Sequence, residues 1–203
     1  MHPVVNPDTG LIQPARYHPS PNCDPRPDGC ELELIVVHGI SLPPGEYGGP
    51  WIDRLFDNRL PPEVHPYFAS IADLKVSSHL LIRRDAELVQ YVPFHLRAWH
   101  AGVSSYQGRE RCNDYSIGIE LEGQDEEPYT PNQYQRLAEV ILALETAYPG
   151  IDRQRVVGHS DIAPGRKTDP GPAFSWGLLD EKLTAEARRR RDTQDRPEVN
   201  GHA

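Results

Sequence analysis

The run Leu34-Ile-Val-Val-His38 constrains the fold more than any other feature of this chain. Apolar and mostly β-branched, it reads as an interior strand starting near Leu32, around which the rest of the chain must be packed. The strand ends on an imidazole, His38, followed by Gly39. A buried strand that delivers a His at its end is a common way to build a zinc site.

A later short strand, Arg155-Val-Val-Gly158, feeds a Pro/Gly-punctuated loop over Val157 to Gly171 that carries His159, Asp161, Lys167 and Asp169. Such loops lie on the surface, where a rigid scaffold presents their side chains to a ligand. His38, His159 and one carboxylate would make a three-ligand zinc centre with an open fourth position, the arrangement of catalytic zinc. The competing reading is a hydrophilic connector with a solvated His, and the second His at a strand end weighs against it.

With 203 residues the chain suits one domain with a real core. A net charge of −9 opposes nucleic acid or an anionic membrane as the main partner, so an anionic substrate must be held by a local basic cluster. No segment approaches the roughly 20 apolar residues of a membrane span. The opening Met1-His-Pro-Val-Val-Asn-Pro-Asp lacks the basic and apolar regions of a secretory signal, which points to the cytoplasm. Cys23, Cys30 and Cys112 form no CxxC pair and read as free thiols, with a Cys23–Cys30 disulfide as the lesser alternative.

Residues 1–31, rich in Pro, Asn and Asp, read as an irregular arm on the surface of the domain, which spans residues 32–191. The Pro/Gly loop Ser41 to Pro50 is placed to flank a cleft beside His38, and Trp51 to Phe56 has helical spacing. Pro66 to Leu74 reads as another short helix. Ser78–Ile82 and Leu88–Pro93 read as strands of a hairpin turning at Arg83–Glu87. His79, within the first of them, reads as structural.

Ala98-Trp-His-Ala-Gly102 sets Trp99, able to stack on a sugar, beside His100, a candidate to contact substrate or a metal ligand. Tyr115 to Gly123 alternates with strand period: Ile117, Ile119 and Leu121 on one face, Ser116, Gly118, Glu120 and Glu122 on the other. An acidic pair on a solvated face is the plain reading, but the small Ser116 and Gly118 leave room for something to approach Glu120. Tyr134 to Tyr148 has helix spacing, with Thr130-Pro131 as entry and Pro149-Gly150 as stop. Phe174 to Arg191 reads as a closing helix whose Arg188–Arg191 run is a solvated end, and residues 192–203 read as a disordered polar tail.

Four segments carry a resemblance that spacing does not: Val37 to Gly45, Arg97 to Val103, Gly108 to Gly123 and Gly158 to Phe174. Together they resemble the zinc-dependent N-acetylmuramoyl-L-alanine amidases, and within them the cytoplasmic branch of Gram-negative bacteria acting on 1,6-anhydro sugars. The similarity runs from about Arg16 to Trp176.

The resemblance implies an α/β (α+β) domain, a mixed central sheet flanked by helices, with the metal at the sheet's edge. It implies Zn2+ held by His38, His159 and Asp169, Glu120 as general base and Lys167 beside the developing oxyanion. It puts Trp99, Lys75, Arg109 and Arg111 at the sugar and peptide sites. The family commonly has Asn where this chain has Gly39, which removes a sugar contact or leaves it to water, and often Cys where it has Ser160. The implied activity is hydrolysis of the amide joining an anhydro-muramoyl sugar to L-Ala in peptidoglycan recycling, by a monomer, lowering the muropeptides that induce β-lactamase. Two other readings stand beside it: an amidase of polymeric murein, and a non-catalytic peptidoglycan-recognition module.

Overall fold

In the computed structural model, which describes residues 2–194, the Leu34–Ile40 strand lies inside a six-stranded mixed sheet. In chain order the strands of this sheet are β1 (Arg16–Tyr17), β2 (Leu34–Ile40), β3 (Leu80–Ile82), β4 (Leu88–Gln90), β5 (Ser116–Glu122) and β6 (Val156–Gly158), and their spatial order is β6-β2-β5-β3-β4-β1. β2 runs parallel to β5 and β6, and β5 runs parallel to β3. The β3–β4 hairpin supplies the antiparallel pairing.

Among the described residues five α-helices accompany the sheet: α1 (Trp51–Phe56), α2 (Pro66–Ile71), α3 (Pro131–Ala147), α4 (His159–Ile162) and α5 (Trp176–Gln194). α3 starts at a capping box, in which the Thr130 hydroxyl accepts from Gln133 N at 3.2 Å and the Gln133 carbonyl oxygen accepts from Thr130 N at 3.0 Å. Its Leu137, Val140, Ile141 and Leu144 pack on Ile35, Val37, Ile117, Ile119 and Leu121, with Leu179 and Leu183 of α5 in the same cluster. Each such side chain, fully buried, contributes roughly 1.5–3 kcal/mol.

The other face of the sheet is covered in two parts. Ile52, Leu55 and Phe56 of α1 and Phe68 of α2 pack with Leu81, Val89 and Tyr91. Ile162 of α4 packs with Leu34, Val36, Ala101 and Cys112. Between these two clusters the carboxyl ends of β2 and β5 are left open, the place where parallel sheets present ligands.

Residues 2–31 are more ordered than their composition suggests. Val4–Asn6 and Leu11–Gln13 form a hairpin, β1 joins the sheet beside β4, and Cys23–Pro25 pairs with Leu96–Ala98. The Arg26 guanidinium fastens this arm, donating to the carbonyls of Phe94, Asn113, Asp114 and Ser116. Burial pulls its pKa down to about 10. All three cysteines are free thiols. The closing helix runs to Gln194, three residues past its expected end, because Glu186 accepts from Arg189 and Arg190 one turn on and holds that stretch helical. The expected tail therefore starts inside α5, and residues 195–203 lie outside the described part.

Candidate metal centre and its cavity

Register places the first candidate ligand. His38 of β2 pairs with Glu120 of β5, so both side chains leave the same face of the sheet, near the carboxyl ends of the strands. β6 lies on the other side of β2 and ends at Gly158, where the chain turns into α4, so His159 arrives as the first residue of that helix. A continuous loop was expected here. The short helix forms because the Asp161 carboxylate accepts from Gly158 N at 2.7 Å and caps it. That bond also occupies Asp161, which is not in the group that converges with the two imidazoles. The chain returns after α4, and Ser160 N donates to the Asp169 carbonyl at 3.0 Å, fixing Asp169 beside His159.

Three ligand atoms converge. His38 Nδ1 lies 3.0 Å from His159 Nδ1, and each lies 3.1 Å from Asp169 Oδ2. A tetrahedral ion with bonds of about 2.0–2.1 Å spaces its ligand atoms by a little over 3 Å, so the triangle is of zinc size, and two imidazoles with one carboxylate are a zinc donor set. His159 Nε2 faces the Ala101 carbonyl at 3.3 Å. A carbonyl only accepts, so Nε2 holds the proton and Nδ1 offers its lone pair to the triangle. Burial, helped by His159, pulls the His38 pKa down to about 4 and keeps it neutral. A second cluster, His2, Glu139 and Glu186, already has its positive charge from Arg189 and Arg190.

The triangle opens into a cavity of about 220 Å³ that also receives Glu120, Lys167 and His100 and is walled by Leu55, Phe56, Tyr67, Leu74 and Val76. Glu120 is buried, and its Oε2 has no hydrogen-bond partner among the described residues. Burial first, and the nearby Asp169 carboxylate second, push its pKa well above the ordinary value, while Lys167 pulls it back. A carboxyl group in that state suits proton transfer near neutral pH.

The face of β5 read as solvated is covered. The imidazole of His100 lies over Gly118, and Glu122 is buried against Arg83 Nη1 at 3.1 Å and Gly48 N at 2.8 Å. The latter bond ties the Ser41–Pro50 loop to the sheet. Gly39 is hemmed in, since a side chain there would run into the Tyr129 hydroxyl, which donates to the Pro170 carbonyl at 3.0 Å. The Tyr129 hydroxyl thus occupies the space that a side chain at position 39 would need.

The structure thus brings His38, His159, Asp169, Glu120 and Lys167 together. Lys75 is exposed, between the wall residues Leu74 and Val76. Arg111 lines a second, larger cavity of about 660 Å³, together with Arg97 and Arg166. Arg109 lies elsewhere, bound to Glu33 at 2.8 Å and stacked 3.9 Å over the Tyr115 ring. Trp99 is half-buried and is not a wall of the cavity, although its backbone N donates at 3.2 Å to Oγ of Ser77, which is one. The apolar wall of Tyr67, Leu74 and Val76 was not anticipated, since isolated apolar residues around a short helix carry no signal in sequence.

The profile of N-acetylmuramoyl-L-alanine amidases matches residues 28–172. The chain is 62% identical over 177 residues, covering 87% of itself and 94% of the relative, to the 1,6-anhydro-N-acetylmuramyl-L-alanine amidase AmpD of Citrobacter freundii. A crystal structure of a selenomethionine AmpD derivative superposes with TM-score 0.85 at 60% identity, over 89% of this chain and 99% of that one. The Escherichia coli amidase AmiD, in complex with anhydro-N-acetylmuramic acid-L-Ala-D-γ-Glu-L-Lys, superposes with TM-score 0.54 at 32% identity, over 77% of this chain and 60% of that one.

Proposed function

The chain belongs to the N-acetylmuramoyl-L-alanine amidase family, and from that premise we propose that it is a zinc enzyme cleaving the amide between 1,6-anhydro-N-acetylmuramic acid and the L-Ala of a stem peptide. The observation that carries this reading is the convergence of His38, His159 and Asp169 at 3.0–3.1 Å in one cavity with Glu120 and Lys167. The names of the Citrobacter relative and of the AmiD complex support an anhydro-muropeptide as the substrate.

His38, His159 and Asp169 would hold the zinc ion. Zinc bound there supplies a Lewis acid for the amide carbonyl and lowers the pKa of water to about 7. Glu120 Oε2, unpaired in the cavity, takes the proton of the attacking water and hands it to the nitrogen of the departing L-Ala. Lys167 Nζ faces the carbonyl oxygen as it gains charge. Leu55, Phe56 and Val76 keep bulk water from the reacting groups and so strengthen both interactions.

Lys75 and Arg111 are assigned to the carboxylates of the stem peptide; Arg111 lines the larger cavity with Arg97 and Arg166, and its Nε donates to Asp114 at 3.0 Å, leaving its outer nitrogens for substrate. Arg109, paired with Glu33, and Trp99 do not line the metal cavity, and their place at the peptide and sugar sites rests on the family resemblance. The chain works as a monomer in the cytoplasm on recycled wall fragments and thereby lowers β-lactamase-inducing muropeptides. Among the described residues no helix is long and apolar enough to cross a membrane.

The test is mass spectrometry of anhydro-muropeptide and of intact murein, each incubated with zinc-loaded and with chelator-stripped protein. Zinc-dependent release of stem peptide from the small fragment alone supports the proposal. Equal release from polymer makes the chain a murein amidase, and binding without cleavage makes it a recognition module.

A further inference from the structure

Behind the candidate metal triangle stand two more buried imidazoles: His100, 5.0 Å from the His38 ring, and His79, 5.7 Å beyond it. The hydrogen bonds of His100 admit one arrangement of protons. The Ser116 hydroxyl donates its proton to the Cys112 carbonyl at 2.5 Å. Its lone pairs therefore face His100 Nε2 at 3.1 Å, which must be an N–H. His100 has no carboxylate among its hydrogen-bond partners and is neutral, so its Nδ1 carries a lone pair. That lone pair faces His38 Nε2 at 2.9 Å, which in turn must be an N–H. His38 Nδ1 is then bare and points at the triangle.

The neighbouring residue does the same for the other imidazole, since the Ala101 carbonyl faces His159 Nε2. Residues 100 and 101 thus form a two-residue strap behind both histidines. One side chain holds the strap: Asn113 Oδ1 accepts from His100 N at 3.1 Å and from Ala101 N at 2.8 Å. Room for the strap comes from β5, where a Cβ on Gly118 would lie 2.5 Å from His100 Cγ.

We propose that His100, Ser116 and Asn113 are positioning residues that fix the tautomers of His38 and His159, so that three lone pairs meet with no proton between them before any ion binds. Such a triangle is repulsive until a cation enters, and the strap spends folding energy to hold it ready. The inference rests on reading the triangle as the zinc site. Outer-shell partners of this kind change metal affinity about 10–100-fold.

The experiment has two parts. Imidazole 15N NMR of the chelator-stripped wild type reads the tautomers directly, and His38 and His100 are expected as Nε2–H with unprotonated Nδ1; a His38 protonated on Nδ1 overturns the inference whatever the variants do. Zinc dissociation constants then come from competition with a chromophoric chelator, alongside the cobalt(II) d–d spectrum. His100→Phe and Asn113→Ala are expected to weaken zinc about 10–100-fold and to shift the cobalt bands. Asn113→Asp, which keeps the acceptor, should restore most of the affinity. Variants that melt lower but bind zinc as the wild type does reduce the strap to a packing element and overturn the inference, leaving the zinc reading intact. A wild type that binds no zinc overturns both.

Discussion

Gly118→Ala is the smallest change that strikes the centre of this arrangement. Nothing about the backbone forbids it, since Gly118 sits in a strand without a positive φ. The new methyl would lie 2.5 Å from His100 Cγ, 2.7 Å from Nδ1 and 2.8 Å from Cδ2. Carbon atoms prefer about 3.5–4.0 Å, so the overlap is roughly 1 Å. His100 is closed in by His38 and His79 and cannot retreat without leaving Ser116 and His38. Overpacking costs about 1–3 kcal/mol, and two strained or broken hydrogen bonds about 0.5–1 kcal/mol each. The total is about 2–5 kcal/mol, and at roughly 2–4 °C per kcal/mol for a chain of this size Tm falls by about 4–20 °C. Calorimetry of chelated protein measures it. Gly177→Ala, in α5 with no atom within 4 Å of the added carbon, is the control and should be neutral or stabilising by up to about 1 kcal/mol. A Gly118→Ala protein that melts with the wild type would refute the claim that the His100 ring is wedged against β5.

Glu120→Gln keeps the shape of the cavity while removing the base, so zinc binding by chelator competition should be unchanged and turnover should fall on the order of 10²–10⁴-fold. Lys167→Met should lower kcat about a hundredfold or more with little change in KM, as expected of a charge felt mainly in the transition state; a rise in KM alone would contradict the assignment. Burial holds His38 near pKa 4 and His79 and His100 well below the free imidazole value, so the folded state binds fewer protons than the unfolded one through this window. The histidine contribution to the stability of the metal-free protein is therefore full above about pH 6.5 and is lost as pH falls toward 4, by about 3 kcal/mol from His38 alone at about 1.4 kcal/mol per pK unit, while Glu120, whose pKa is raised, acts in the opposite sense. Urea unfolding of Glu120→Gln at pH 7 and pH 4.5 isolates the histidines, and equal free energies at the two would contradict their role.

The metal triangle was legible early because its parts sit at ends of regular elements: His38 closes an apolar run, and His159 follows another. The choice between Asp161 and Asp169 was not legible in the residues, since it depends on Asp161 capping a four-residue helix too short to show a period. Glu120 could be placed on a face by alternation, but alternation could not say that His100 covers that face, because the contact joins residues far apart in register and separate in sequence. The arm failed for a related reason: its short strands are stabilised by pairing and by Arg26, not by their own propensity.

The central claim is that this cavity hydrolyses one particular amide. Incubating anhydro-muropeptide with zinc-loaded protein in 18O-water, and weighing both products, tests it most directly. The account predicts one 18O in the lactyl carboxylate of the sugar, none in the released peptide, and no release after chelation or with Glu120→Gln. Label in the peptide, or release that survives removal of the metal, would contradict it.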